Sequence, residues 1–161
     1  MKHPLSTTLT ILAVGFLVWI AFFGPGLHWT GAVPKTFTVR VTHVESGTPV
    51  QGATVIFFRT RKEAETFAAL KGAERFDWLD ALTVSQMSGL TSDDGLVSLR
   101  GQFGAGGQSS LLWNRGAWRA AGILMIQGKD KSWTTHKLED LHETEKRSLR
   151  QELPLIEVTL N

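Results

Sequence analysis

Three residues in the C-terminal third of the chain are of types that bind metal ions. His136, Glu139 and His142 fall within one short stretch, and the Glu139-x-x-His142 spacing would place two ligands on one face of a helix. Such a spacing also arises by chance on polar surface helices, so a solvated surface group is the competing interpretation. A metal-dependent hydrolase that uses these residues is therefore the weakest of three functional hypotheses.

A second group of residues combines two indole rings with a guanidinium group. Trp113, Arg115 and Trp118 follow a glycine-rich stretch at 101–107, which we predict to be a mobile loop. On an exposed loop these side chains could stack on a sugar ring or on the surface of a partner. If the indoles are buried against a sheet, they are core residues instead. The group supports a carbohydrate- or small-ligand-binding module as the alternative hypothesis.

The rest of the composition favours a non-catalytic protein without cofactors. The chain has no cysteine, which excludes disulfides, Cys-ligated zinc, iron–sulfur clusters and a Cys nucleophile. It contains neither a G-x-S-x-G motif nor a phosphate loop that ends in Gly-Lys-Ser/Thr. The net charge of +2 is spread along the chain without a dense basic run, so no nucleic-acid partner is expected.

Residues 1–33 carry a long hydrophobic segment. The 19 residues from Leu5 to Phe23 would form a helix about 28 Å long, close to the ~30 Å thickness of a hydrocarbon core. The stretch is longer than the usual core of a signal peptide, so we predict a signal anchor that inserts in the cell membrane as one transmembrane helix. Lys2 precedes the segment and is expected to stay inside the cell. The folded domain would then lie outside the cytoplasm, in the periplasm if the cell is Gram-negative. The alternative is a signal peptide that is cleaved near Ala32 and releases a secreted protein.

Residues 34–161 are predicted to fold as one mainly-β domain. Phe37, Val39 and Val41 alternate with polar residues, as expected for a strand with one buried face. Further short β-rich segments bounded by Gly, Pro or Asp follow at 53–58, 96–99, 122–127, 132–136 and 155–160. This pattern is typical of an Ig-like or transthyretin-like antiparallel β-sandwich.

Two charged segments interrupt the strands. An insertion at about 60–88 begins with a capping box formed by Thr60 and Glu63, and apolar residues then recur at helical spacing. That apolar stripe consists of Ala64, Phe67, Ala68, Gly72, Phe76 and Leu79. It predicts one amphipathic helix, which packs on the flank of the sandwich or binds a partner. The stretch from Lys137 to Glu152 is predicted to be a solvated surface helix.

Two short motifs resemble the signature of carboxypeptidase regulatory-like domains, which belong to the transthyretin-like or prealbumin-like β-sandwiches. The string SGTPVQGATVIF, from Ser46 to Phe57, has a turn glycine, a Pro–aliphatic pair and Gly-Ala before an alternating strand. The matching positions are Gly47, Pro49, Val50, Gly52, Ala53 and Val55, followed by Thr91, Asp93 and Gly95 in the later turn. The insertion at 60–88 and the segment at 101–118 depart from the compact family pattern.

The resemblance implies a scaffold used for adhesion and domain support, and it leads to the main functional hypothesis. The chain is predicted to be a non-catalytic, membrane-anchored, extracytoplasmic β-sandwich that mediates protein interaction or structural support in the cell envelope. Its expected partners are the membrane, through the N-terminal helix, and another protein of the envelope.

Overall fold

The chain forms nine strands and four helices within the residues that the structure, a computed structural model, describes: 4–23, 26–81, 87–109, 114–141 and 147–160. The helices are α1 (Pro4–Phe23), α2 (Arg61–Ala69), α3 (Ala73–Ala81) and α4 (Leu138–Leu141). The strands are β1 (Leu27–His43), β2 (Thr54–Phe58), β3 (Ser88–Leu90), β4 (Leu96–Ser109), β5 (Asn114–Trp118), β6 (Ile123–Gln127), β7 (Trp133–Lys137), β8 (Arg147–Ser148) and β9 (Ile156–Leu160).

The strands form two sheets, so the prediction of a mainly-β fold with two sheets is confirmed. The first sheet has the order β8-β5-β4-β1-β9, and the second has the order β3-β2-β6-β7. All pairs are antiparallel except β1 with β9, which run parallel. The alternation seen in the sequence has its expected cause, because Phe37, Val39 and Val41 of β1 are buried between the sheets.

Phe57 lies at the centre of the core that the two sheets share. Its ring centroid is 5.3 Å from that of Phe37 and 5.1 Å from that of Phe103, both in the first sheet. A Cβ atom added to Gly101 would lie 2.6 Å from the Phe57 ring, and one added to Gly122 would overlap the same ring from another side. Glycine is therefore required at both positions so that this ring fits between the sheets.

The glycine-rich stretch is part of a strand, and the prediction of a mobile loop at 101–107 is wrong. These residues belong to β4, which pairs with β1 along 14 successive positions. Near its end, β4 approaches Trp29 of β1 and Gly116 of β5 so closely that a Cβ at Gly107 would overlap them. At Gly101 and Gly107 the missing side chains make room for neighbouring groups, so these glycines do not indicate a flexible segment here.

In the described part of the insertion, residues 60–81 and 87–88, there are two helices instead of the single helix predicted. The capping box is confirmed: Glu63 N–H donates to Thr60 Oγ1 (3.2 Å), and Thr60 N–H donates to a Glu63 carboxylate oxygen (3.0 Å). Helix α2 ends at Ala69, and Gly72 has φ +57°, a left-handed conformation that does not continue a helix. The side chain of Phe76 is consequently half-exposed at 51% and does not continue the apolar stripe.

Helix α2 packs on the outer face of the second sheet. Its Ala64 and Phe67 are buried against Ile56, Phe58, Ile123 and Met125, with Trp78, Leu79 and Trp133 at the margin. Successive side chains of a strand point to opposite faces. Strands β2 and β6 therefore contribute one set of residues to the core between the sheets and the other to the contact with α2.

Helix α1 exposes apolar side chains in every direction. Between residues 9 and 19 the large apolar residues are 50–67% exposed, and Ile20 is partly buried. These residues are Leu9, Ile11, Leu12, Val14, Phe16, Leu17, Val18 and Trp19. Within the part of the chain whose side chains are described, no helix is long and apolar enough to cross a membrane.

Strand β1 begins ahead of the domain boundary predicted at residue 34. It starts at Leu27, and its residues from Leu27 to Ala32 pair with β4 from Ser109 to Gly104. The cleavage site considered near Ala32 therefore lies inside a paired strand.

The stretch from Lys137 to Glu152 differs from the surface helix predicted for it. Within the described residues, helix α4 covers Leu138–Leu141, and β8 is a strand that pairs with β5. Two groups of the first sheet hold this segment: Trp118 Nε1–H donates to the Ser148 carbonyl (3.0 Å), and Lys35 Nζ donates to the Leu149 carbonyl (2.7 Å). The local charge pattern did not indicate these distant partners.

Candidate functional site

A groove of about 530 Å³ lies on the outer face of the second sheet, between α2, β6–β7 and α4. Its floor is apolar, with Ala64, Ile123 and Met125 buried at its base. Its rim is charged, with Arg61 and Glu65 on the helix side and Lys137 and Asp140 on the opposite side. A groove with an apolar floor and a polar rim has the general character of a binding site.

Helix spacing and strand register together produce the groove. Ala64 and Ala68 are four residues apart on α2, so their small side chains lie one above the other on the groove side. Ile123 pairs with Lys137, and Met125 pairs with Thr135, so each pair lies on the same face of the sheet. The short alanine side chains leave space above the larger residues of β6.

The charges on the rim have both signs. Arg61 Nε lies 2.7 Å from Glu65 Oε1, in an exposed ion pair one helical turn apart. Such exposed pairs contribute only about 0.3–0.5 kcal/mol to stability, so both groups can exchange this partner for another at low cost. Lys137 and Asp140 supply a second positive and a second negative charge across the groove.

His136 lies between Thr135 and Lys137 of β7, and it is also among the residues that line the groove. By register it is opposite Leu124, which belongs to the main core, so its side chain takes the core-facing side of the strand. Its Nε2 atom is buried and has no hydrogen-bond partner among the described residues. Burial favours the neutral imidazole and lowers the pKa of His136 below its ordinary value of 6.5.

The three residues predicted as weak metal ligands are only partly described. The side chain of His136 lies on the core-facing side of β7. Glu139 is half-buried on α4, and His142 lies outside the described residues. Within the described ranges, no group of three or more His, Cys, Asp or Glu side chains could hold a metal ion.

The predicted stacking residues lie in different environments. Trp113 lies outside the described residues, and Arg115 is exposed on β5, opposite Gln108 of β4. Trp118 is only 1% exposed, and its ring centroid is 5.1 Å from that of Phe103 in the core. Trp118 is therefore a core residue, and its ring is not accessible to a ligand.

Sequence reasoning missed the groove, although one signal for it was present. The predicted apolar stripe of α2 contains alanine at two positions four residues apart, where a larger residue would fill the helix–sheet contact. The opposite wall could not be recognised, because the assignment of Thr135 and Lys137 to this face depends on the pairing of β6 with β7.

The fold and the groove define a mainly-β, two-sheet protein with a surface site framed by an inserted helix. Comparisons with protein-family models, curated proteins and solved structures find no match for this chain.

Proposed function

We propose that this chain is a non-catalytic interaction protein of the cell envelope, anchored in the membrane by α1. In this proposal its β-sandwich is of the carboxypeptidase regulatory-like type and lies outside the cytoplasm. It binds a protein partner in the groove between α2 and β6–β7. The observation that carries the proposal is this groove, in which a buried apolar floor is surrounded by charges of both signs.

The chemistry of the groove favours a protein segment as its ligand. An apolar side chain of a partner would displace water from Ala64, Ile123 and Met125, which is the main favourable term in association. Charged groups beside that side chain would pair with the rim residues, two of which are positive and two negative. Such alternating charges select one orientation of a polypeptide.

The character of α1 supports the membrane anchor. A helix that is apolar on all sides is normally surrounded by protein or by lipid, and the described apolar side chains of α1 are exposed. Counted on the sequence, the 19 residues from Leu5 to Phe23 correspond to about 28 Å of helix, close to the ~30 Å of a hydrocarbon core. The side chains that the structure describes cover only residues 9–20 of this segment. Cleavage near Ala32 would instead remove residues 27–32, which form the first part of β1 and pair with β4. A segment that is not cleaved keeps these strand pairs of the first sheet.

The proposal is tested by affinity purification of the tagged full-length protein from detergent-solubilised membranes, with intact-mass analysis. We expect the protein to retain Met1 and to co-purify stoichiometrically with at least one membrane protein. The variant Ala68→Arg fills the mouth of the groove from an exposed position and should reduce co-purification at least fivefold.

The matched control is Ala69→Arg, which adds the same charge to α2 outside the groove lining and should leave co-purification unchanged. A species that begins near Val33 and purifies alone would contradict both the anchor and the partner. Equal loss in both variants would contradict the assignment to the groove.

A further inference from the structure

Strand β1 has an open edge along its N-terminal half, and we propose that this edge binds an extended segment of a partner protein by strand addition. The surface is separate from the groove, so the inference goes beyond the proposed function and can fail independently of it.

Two hydrogen bonds establish which residues face this edge. Val41 N–H donates to the Gly95 carbonyl on the β4 side (2.8 Å), and Val44 N–H donates to the Leu160 carbonyl on the β9 side (2.8 Å). Backbone groups of successive residues point to opposite sides of a strand. Odd-numbered residues of β1 therefore face β4, and even-numbered residues face β9.

This alternation continues to the beginning of the strand. The β1–β4 register runs without a bulge from Leu27, opposite Ser109, to Arg40, opposite Leu96. His28, Thr30 and Ala32 therefore direct their N–H and C=O groups away from β4. All three residues are exposed.

Strand β9 covers only the far end of the same edge. It pairs with β1 from Val39 to His43, and among the described residues no strand pairs with this edge between residues 27 and 38. An open edge is a row of backbone donors and acceptors that another extended chain can satisfy.

Pro34 marks where strand addition must end. Because 34 is an even number, the nitrogen of this proline faces the open edge. Proline has no N–H, but no hydrogen bond to β4 is lost, since the nitrogen points away from β4. A partner strand could not receive a hydrogen bond from this position. The open edge therefore extends from Leu27 to Val33, about 20 Å at ~3.4 Å per residue.

The composition of this edge indicates the kind of partner. Natural sheets protect open edges with lysines, prolines, inward charges or bulges. Pro34 is such a residue, whereas the sequence from Leu27 to Val33 has no Lys, Arg, Asp, Glu or Pro. The backbone N–H and C=O groups on the open edge belong to every second residue, namely His28, Thr30 and Ala32. Only an extended backbone has donors and acceptors with this spacing. The expected occupant is therefore an uncharged, β-branched segment of about seven residues, bound mainly through its backbone.

The test uses the full-length chain in detergent micelles and the capped peptide Thr-Val-Thr-Val-Thr-Val-Thr, which combines high strand propensity with zero charge. Amide hydrogen exchange is followed by NMR. Without peptide, the amides of His28, Thr30 and Ala32 should exchange at least tenfold faster than those of Trp29, Gly31 and Val33. Saturating peptide should slow the first three at least tenfold.

A proline variant separates backbone recognition from side-chain recognition. Thr30→Pro removes an N–H that faces the open edge, as the natural proline at 34 does, and should abolish peptide binding without unfolding the sheet. Thr30→Ala keeps the N–H and should bind as the parent does. The groove variant Ala68→Arg should also bind the peptide normally, so failure of the groove and failure of the edge are distinguishable.

Three outcomes would overturn the inference. The first is slow exchange at His28, Thr30 and Ala32 in the free chain, which would mean that its own residues cover the edge. The second is peptide binding that survives Thr30→Pro. The third is a dimer, measured by light scattering, that Thr30→Pro dissociates, which would assign the edge to a second copy of this chain.

Discussion

The hydroxyl group of Thr91 accepts a hydrogen bond from the backbone N–H of Ala53 at 2.9 Å. The same hydroxyl donates to the Val50 carbonyl at 2.5 Å, and the Thr91 N–H donates to the Ala53 carbonyl at 3.0 Å. Thr91 is buried, with 4% of its surface exposed. One side chain thus connects the turn before β2 with the turn before β4, the two motifs that resemble the carboxypeptidase regulatory-like signature.

The variant Thr91→Val tests this connection. Valine has nearly the same shape but removes the hydrogen bonds of the Thr91 hydroxyl to the Ala53 N–H and to the Val50 carbonyl. This loss should lower the free energy of unfolding by about 1–3 kcal/mol. Urea denaturation of the full-length chain measures the effect. Thr91→Ser keeps the hydroxyl and should lose clearly less. A loss in Thr91→Val no larger than that in Thr91→Ser would contradict the role of the hydroxyl, because valine keeps the methyl group that serine lacks.

A second prediction concerns the contact between Gly101 and Phe57. A methyl group at Gly101 would lie 2.6 Å from the Phe57 ring, so Gly101→Ala should destabilise the fold by about 1–3 kcal/mol through overpacking. Gly104→Ala is the control in the same strand, because an added Cβ there meets no atom within 4 Å. It should be neutral or slightly stabilising in thermal unfolding. Equal destabilisation of both variants would contradict the steric explanation.

A third prediction follows from the buried imidazole of His136. Its pKa is lowered in the folded state from the ordinary value of 6.5, so the unfolded chain binds the proton more tightly. The stability that depends on the neutral imidazole is therefore fully present above about pH 6.5 and is lost as the pH falls through and below that value. Urea denaturation of the full-length chain between pH 7.5 and pH 5 should show this decrease.

The variant His136→Gln removes the titrating group and should flatten this pH dependence. The same substitution at His43, whose side chain is exposed, is the control and should leave the pH dependence as in the parent. A decrease that persists unchanged in His136→Gln would assign the titration to another group.

A fourth prediction concerns Arg75, which joins the two helices of the insertion. Its guanidinium group donates to the Leu70 carbonyl (2.6 Å from Nη2) and lies 5.0 Å from the centroid of the Phe67 ring. The variant Arg75→Gln should lower local stability by about 1–2 kcal/mol, because a cation–π contact and hydrogen bonds to the end of α2 are lost.

Hydrogen exchange of the α2 amides measures this loss. Arg61→Gln is the matched control. Arg61 forms an exposed ion pair with Glu65, and the loss of this pair should cost no more than about 0.5 kcal/mol. Equal acceleration of exchange in the two variants would contradict the role of Arg75.

The sequence alone determined the features that depend on neighbouring residues. The alternation of Phe37, Val39 and Val41 predicted a half-buried strand, and the Thr60–Glu63 spacing predicted a capping box, because both patterns act within one turn or one strand. The turn at Gly95 was also predicted, and the structure adds its reason: Gly95 has φ +69°, and its carbonyl accepts from the N–H of Val41.

Only the tertiary structure decided the features that depend on distant partners. The glycines at 101–107 indicated a loop when read locally, but Gly101 is required by Phe57, 44 residues earlier in the chain, and Gly107 is required in part by Trp29. The burial of Trp118 depends on Phe103 and on the Ser148 carbonyl, and the groove depends on the register between β6 and β7. Local sequence reports backbone preference and periodicity, whereas the packing of side chains is set by which strands become neighbours.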